Sequence, residues 1–112
     1  MAPTVKTRLV AIKNRGRLGL QEIAGLLDAT PLTVFRWYTG NDHPEPEHLT
    51  RVAALDRLVG HLAELHEPDA LRTWLYSPHD GLDNQLPADR VRAGEVATVL
   101  ALLPPQLEGV SA

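Results

Sequence analysis

The sequence predicts an all-α fold in which an N-terminal helix-turn-helix is followed by a small helical C-terminal domain. Three observations support this prediction. Leu and Ala are the most frequent of the 112 residues, and runs of β-branched residues are absent. Apolar residues recur at helical spacing along most of the chain. The stretch from Leu18 to Gly40 has the pattern of two short helices joined by a tight turn.

The chain is long enough for one compact unit or two very small ones. The loop from Asn41 to Pro46 contains two prolines and begins within a Gly-Asn-Asp turn signal. We therefore place an internal boundary here, between a helix-turn-helix domain at 1–43 and a helical domain at 44–112.

The first predicted helix runs from Thr4 to Asn14. Its apolar residues Val5, Leu9 and Ile12 follow the i, i+4, i+7 spacing of one helix face. Gly16 comes directly after this pattern, and glycine commonly ends a helix because it adopts a left-handed conformation without strain. We therefore expect the helix to end at Gly16.

The helix-turn-helix is defined by its turn and by the caps of its second helix. Its first helix is Gln21 to Leu27. Asp28 follows, and Asp tolerates the left-handed conformation that a tight interhelical turn needs. Thr30 is a good N-cap and Pro31 suits the first helical position, so the second helix begins there. Gly40 closes it as a C-cap.

The second helix has an inward and an outward side. Val34 and Trp37, three residues apart, face inward. In a helix-turn-helix the second helix enters the DNA major groove, where Arg36 can bond a guanine edge and Thr33 supplies a hydroxyl. Phe35 shares the outward side. The predicted DNA-binding residues are Thr30, Leu32, Thr33 and Arg36, together with Arg15 and Arg17 at the end of the first helix.

A long helix is predicted from about Pro46 to His66. Its apolar stripe alternates in steps of three and four residues, which suits packing inside one monomer or across a dimer. We favour packing inside the monomer. The stripe consists of Leu49, Val52, Leu55, Val59, Leu62 and Leu65.

Three shorter helices complete the prediction. Pro68 to Tyr76 carries Leu71, Trp74 and Leu75 on its apolar side. An irregular loop rich in turn formers follows from His79 to Leu86. Pro87 then begins a helix through Ala93, and Glu95 to Leu103 forms the last helix, which Pro104 ends.

The net charge changes sign close to the predicted domain boundary. Residues 1–40 hold six basic and two acidic side chains, a balance of +4, whereas residues 41–112 hold five basic and twelve acidic ones, a balance of −7. The first part is suited to DNA phosphates and the second to a protein partner with a basic surface. The alternative is that both are simply solvated faces.

Other classes of function find little support. No cysteine is present, and His61 and His66 are five residues apart, a poor spacing for two metal ligands on one helix face. No Gly-rich phosphate loop or nucleophile motif occurs, and we expect neither an enzyme nor a cofactor. The sequence contains no apolar stretch of membrane-spanning length and no secretory signal, so we expect a cytoplasmic protein.

Motifs in both halves identify a family. In the first half they are Asp28-Ala29-Thr30-Pro31, Val34, Arg36-Trp37 and Gly40; in the second they are Trp74, Ser77-Pro78, Leu82, Pro87, Val91, Gly94-Glu95 and the run from Val99 to Leu103. In these residues, and in the order of its two halves, the chain resembles the Xre/MbcA/ParS-type antitoxins. It departs from them at Leu32, where a polar or basic residue is more usual, and at Asp83-Asn84-Gln85, where relatives often carry glycines.

The resemblance implies a partner and a role. The second half would be a ParS-like toxin-binding domain that blocks the NAD pocket of a RES-domain toxin. The complex would bind operator DNA and repress its own operon, and the antitoxin would form a homodimer. The alternative is a plain helix-turn-helix transcriptional regulator whose second half only dimerises.

Apolar and acidic side chains of the second half are the predicted toxin contacts. Aromatic and apolar side chains dominate interface energies, and carboxylates would pair with basic groups around an NAD phosphate site. For Trp74 and Leu82 the alternative is a place in the core. The set is Trp74, Tyr76, His79, Asp80, Leu82 and Asp83, with Leu107, Glu108 and Val110 in the C-terminal tail.

Overall fold

The computed structural model describes residues 4–104, which form a single helical assembly without strands. The predicted all-α fold is confirmed. One short 3₁₀ helix, at Asp80–Leu82, follows the fifth α-helix. The α-helices are α1 (Val5–Gly16), α2 (Leu20–Leu26), α3 (Pro31–Thr39), α4 (Pro46–Leu65), α5 (Pro68–Leu75), α6 (Pro87–Arg92) and α7 (Val96–Leu100).

The long helix α4 is the centre of the core. It packs mainly along α1, and the apolar stripe from Val52 to Leu62 is buried inside the monomer. The stripe therefore stabilises the monomer, as we favoured. Its two end members differ from the prediction, because Leu49 and Leu65 are 43% and 41% exposed. The 12 residues of α1 are too few to cover a 20-residue helix to both ends.

Helices from both sides of the predicted boundary at 43/44 contribute to one hydrophobic cluster. Besides α1 on α4, α2 packs against α6. An ion pair joins Arg8 Nη1 of α1 to Asp56 Oδ2 of α4 at 3.1 Å. Another joins Arg92 Nε of α6 to Asp28 Oδ1, in the turn after α2, at 3.3 Å. The division into two domains stays a prediction.

Helix α1 ends at Gly16, as expected, but the left-handed conformation is found one residue later. Gly16 is the last helical residue, and Arg17 takes the left-handed conformation, with φ at 51°. Gly16 is needed for a different reason: a Cβ there would lie 3.1 Å from Leu18 Cγ and 3.3 Å from Val59 Cγ1. The missing side chain lets the end of α1 approach α4 closely.

The last helix is shorter than predicted. It spans Val96–Leu100, and the next residues form a turn. The N–H groups of Leu102 and Leu103 bond to Val99 O and Leu100 O, the i to i+3 pattern of a tightening helix end. Pro104 contributes to this ending, because it disfavours helical conformation in the residue before it.

Two glycine substitutions are expected to change stability in opposite directions. Gly94 has φ at +86°, and a Cβ there would lie 3.1 Å from Arg51 Nη2, so Gly94→Ala should lower the free energy of unfolding by about 1–2 kcal/mol. Gly25 lies within α2, and a Cβ there would meet no atom of another element among residues 4–104 within 4 Å. Gly25→Ala should therefore raise the free energy of unfolding by about 0.5–1 kcal/mol. Denaturant unfolding of both variants measures this difference. A Gly94→Ala variant as stable as the natural chain would contradict the expected backbone strain.

Candidate functional site

The segment from α2 through α3 has the geometry predicted from its turn residues. Asp28 has φ at 56°, the left-handed conformation that the tight turn needs. Thr30 caps α3, and its Oγ1 accepts a hydrogen bond from Thr33 N at 3.1 Å. Pro31 is the first helical residue, and Gly40 ends the helix with φ at 82°. Both ends of α3 are therefore fixed by local sequence.

The inward side of α3 packs mainly against α2 and α1. Val34 and Trp37 are both buried, as predicted. The Trp37 ring lies against the His48 ring at the start of α4, with centroids 5.3 Å apart. This packing leaves the opposite side of α3 on the surface.

The predicted DNA-binding residues of α3 lie on or beside this outward side. Leu32, Phe35 and Arg36 are exposed, whereas Thr33 is half-buried. The hydroxyls of Thr30 and Thr33 lie 2.8 Å apart and bond to each other, which commits both to the helix cap. Arg36 therefore remains the strongest hydrogen-bonding group on this side.

The two predicted arginines at the end of α1 are exposed as well, but they have different surroundings. Arg17 stands in the turn after α1, and its carbonyl accepts a hydrogen bond from Arg72 of α5. Arg15 lines an open groove of about 1020 Å³ that follows α4. A Cβ at Gly60 in this groove would lie 2.9 Å from Arg15 Nη1, so the guanidinium extends across α4.

A basic group beside α3 was missed by the sequence prediction. Lys6 Nζ and Lys13 Nζ lie 5.8 and 6.0 Å from the centre of the Tyr38 ring. Both lysines thus gather beside Tyr38, where they add positive charge next to α3. The two lysines are visible as one face of α1, but the contact with Tyr38 depends on how α1 and α3 pack.

The predicted toxin contacts near α5 fall into exposed and buried residues. Tyr76 is 41% exposed, and the carboxylates of Asp80 and Asp83 lie on the surface. Trp74 is half-buried and packs against the core. Leu82 is only 2% exposed, so its side chain belongs to the core and is not available for direct contact.

His79 has a local role in the loop that carries these carboxylates. Its Nδ1 accepts a hydrogen bond from Gly81 N at 3.0 Å, and its ring meets the Trp74 ring edge-on at 5.8 Å. His79 also forms an isolated bridge with Gln85. The loop is therefore held closed at its base. The predicted tail contacts Leu107, Glu108 and Val110 lie outside the described residues.

The Tyr76 phenol is partly buried and interacts with two carboxylates and one guanidinium. Burial raises its pKa above the usual range, Glu22 and Asp89 act in the same direction, and Arg72 opposes them. Folding thus favours the protonated phenol, and the corresponding stability is lost only as the pH rises past the ordinary tyrosine value of about 10. At neutral pH Tyr76 is a neutral hydrogen-bond donor.

Arg72 connects α5 with the start of α2. Its Nη2 lies 3.0 Å from Glu22 Oε1 and also donates to the Arg17 carbonyl. Glu22 Oε1 in turn accepts a hydrogen bond from Gly19 N at 3.2 Å, which caps α2. One arginine of the second half therefore supports the first turn of α2.

Other kinds of site have little support in the described part of the chain. No three His, Asp or Glu side chains among residues 4–104 come together as a metal site would require. Within the same range, no helix combines the length and the apolar character needed to cross a membrane.

Comparisons with known proteins agree with the predicted family. No protein-family model matches the chain. It is 38% identical over 96 residues to the mycobacterial cidal antitoxin MbcA of Mycobacterium tuberculosis and of Mycobacterium bovis, over 84% of this chain and 85% of each relative. It also resembles a chain in the crystal structure of the M. tuberculosis MbcT–MbcA toxin–antitoxin complex, with a TM-score of 0.77 and 32% identity over 90% of this chain and 91% of that one.

These similarities confirm the resemblance predicted from the motifs. They extend through both halves of the chain, from the helices around Asp28 to those that follow Trp74. The relatives are antitoxins, in line with the predicted class of function. The chain belongs to the family of the mycobacterial cidal antitoxin MbcA.

Proposed function

We propose that this chain neutralises an NAD-consuming toxin of the RES type by binding to it and blocking its NAD pocket. The observation that carries the proposal is the similarity, along nine-tenths of the chain, to a chain of a solved toxin–antitoxin complex. Neutralisation by binding requires a complementary surface and no reaction. The chain would act in the cytoplasm, where the toxin meets NAD.

The end of α5 and the loop after it form the proposed toxin-binding surface. Tyr76 presents an aromatic ring with a donor hydroxyl, the type of side chain that dominates protein interfaces. Asp80 and Asp83 stand exposed on the adjoining loop, where they would pair with basic groups of a phosphate-binding pocket. The tail with Leu107, Glu108 and Val110 is proposed to extend this surface.

The outward side of α3 forms the proposed operator-binding surface. The first forty residues carry a balance of +4, and Arg36 stands exposed on this side of the helix. A homodimer would present two copies of α3 to a palindromic operator, as symmetric helix-turn-helix proteins do. We propose that the antitoxin, in complex with its toxin, represses its own operon through this surface.

Co-expression with the product of the adjacent gene tests the proposal. We expect the two proteins to co-purify, and NAD loss to appear only when this chain is removed from the complex. A partner that consumes no NAD, or that fails to bind, would contradict toxin neutralisation. That outcome would favour the alternative of a plain transcriptional regulator with a dimerising second half.

A further inference from the structure

Two large apolar side chains stand on the outward side of α3. Leu32 is 59% exposed and Phe35 is 47% exposed. They are three residues apart, so they are neighbours on one face of a helix. Both ends of this helix are capped, which fixes the direction of the pair. Exposed apolar neighbours of this size commonly mark a contact surface.

The surroundings of the pair favour DNA as the contact. Arg36 is exposed beside them on the same side of α3, and Lys6 and Lys13 gather at Tyr38 on the adjoining side. This surface lies in the part of the chain with a net positive charge, whereas residues 41–112 carry a net negative charge. A basic partner protein would therefore be repelled here, whereas a nucleic acid would be attracted.

DNA offers one apolar group in its major groove, the 5-methyl group of thymine. Residues three apart on a helix have Cβ atoms about 5–6 Å apart, and successive base pairs are stacked about 3.4 Å apart. Two such side chains therefore span one or two base steps. The pair matches closely spaced thymine methyls in size and in spacing.

We propose that Leu32 and Phe35 read thymine 5-methyl groups in the operator, and that Arg36 supplies the hydrogen-bonded contact beside them. The proposal rests on the operator binding proposed above and names what that surface recognises. It also gives a role to Leu32, whose apolar side chain is unusual on a DNA-reading helix. Specificity would come from apolar contacts as much as from hydrogen bonds.

The test uses the full chain in complex with its toxin. Duplexes are selected from a random pool, and each thymine in the selected site is then replaced by deoxyuridine, which lacks only the methyl group. Burial of one methyl group corresponds to about a fourfold change in affinity, so we expect about fifteenfold weaker binding when two contacted methyls are removed. Equal affinity for the thymine and deoxyuridine duplexes would overturn the proposal.

Variants of α3 test whether Leu32 and Phe35 cause the preference for thymine over deoxyuridine. Leu32→Ala combined with Phe35→Ala changes only exposed side chains and should leave the fold intact. This double variant should bind both duplexes with the same, weaker affinity. The control Arg36→Ala should bind more weakly overall but still prefer thymine. A double variant that keeps the preference would overturn the assignment.

Failure of the proposed function is visible at an earlier step. If the complex enriches no duplex from the pool, operator binding is refuted and methyl recognition with it. If duplexes are enriched but show no dependence on thymine methyls, operator binding stands and methyl recognition is refuted. Loss of toxin co-purification in the double variant, with DNA binding unchanged, would show a protein-docking surface instead.

Discussion

Tyr76→Ala is expected to weaken binding to the toxin by about thirtyfold or more while the chain remains folded. Aromatic residues at the centre of an interface commonly cost about 2 kcal/mol or more when truncated to alanine, which corresponds to a factor of about 30. Tyr76 is 41% exposed, so its removal leaves no large internal cavity. Titration of the toxin's NAD consumption with natural and variant chains measures the loss.

Two further variants separate the contributions of the Tyr76 ring and of its hydroxyl from the effect of removing any exposed apolar side chain. Leu49→Ala removes an apolar side chain of matched exposure, 43%, at the start of α4, and should leave toxin inhibition unchanged. Tyr76→Phe keeps the ring but removes the neutral hydroxyl, so an intermediate affinity is expected if this group donates to the toxin. Full inhibition by Tyr76→Ala would place the binding energy elsewhere, with Asp80 and Asp83 as the next residues to replace.

The parts of the fold that could be predicted are those encoded by local sequence. Asp28, Thr30 and Gly40 each act through the conformation or capping of their own residue, and all three are found as predicted. The exposure of Leu49 and Leu65 could not be predicted in this way. It depends on the length of α1, which is too short to cover both ends of α4.

The same distinction applies to the candidate surfaces. Exposure of Tyr76 follows from its place at the end of a short amphipathic helix, and it could be anticipated. For Leu82 the sequence left both a toxin contact and a place in the core open, and a three-residue 3₁₀ helix turns its side chain into the core. The contact of Arg72 with Glu22 joins residues fifty positions apart and leaves no periodic signal in the sequence.

Trp37→Ala is expected to have the largest effect on stability. Its side chain is 3% exposed, belongs to the core and packs on His48, so alanine would leave a cavity beneath α3. Substitutions of this kind cost about 3–5 kcal/mol, a large share of the roughly 5–15 kcal/mol that stabilises a typical domain. For a domain of this size the melting temperature should fall by roughly 10 °C or more. Thermal unfolding followed by circular dichroism measures the change.

The control for this substitution lies on the opposite side of the same helix. Phe35→Ala also removes an aromatic ring from α3, but from a site that is 47% exposed, so it should change the free energy of unfolding by no more than about 0.5 kcal/mol. The contrast separates two roles that α3 combines. Trp37 joins the helix to the hydrophobic core, and Phe35 belongs to the surface proposed to meet DNA. Equal destabilisation by the two variants would mean that the outward side of α3 is covered in solution, and it would count against an accessible DNA-binding surface.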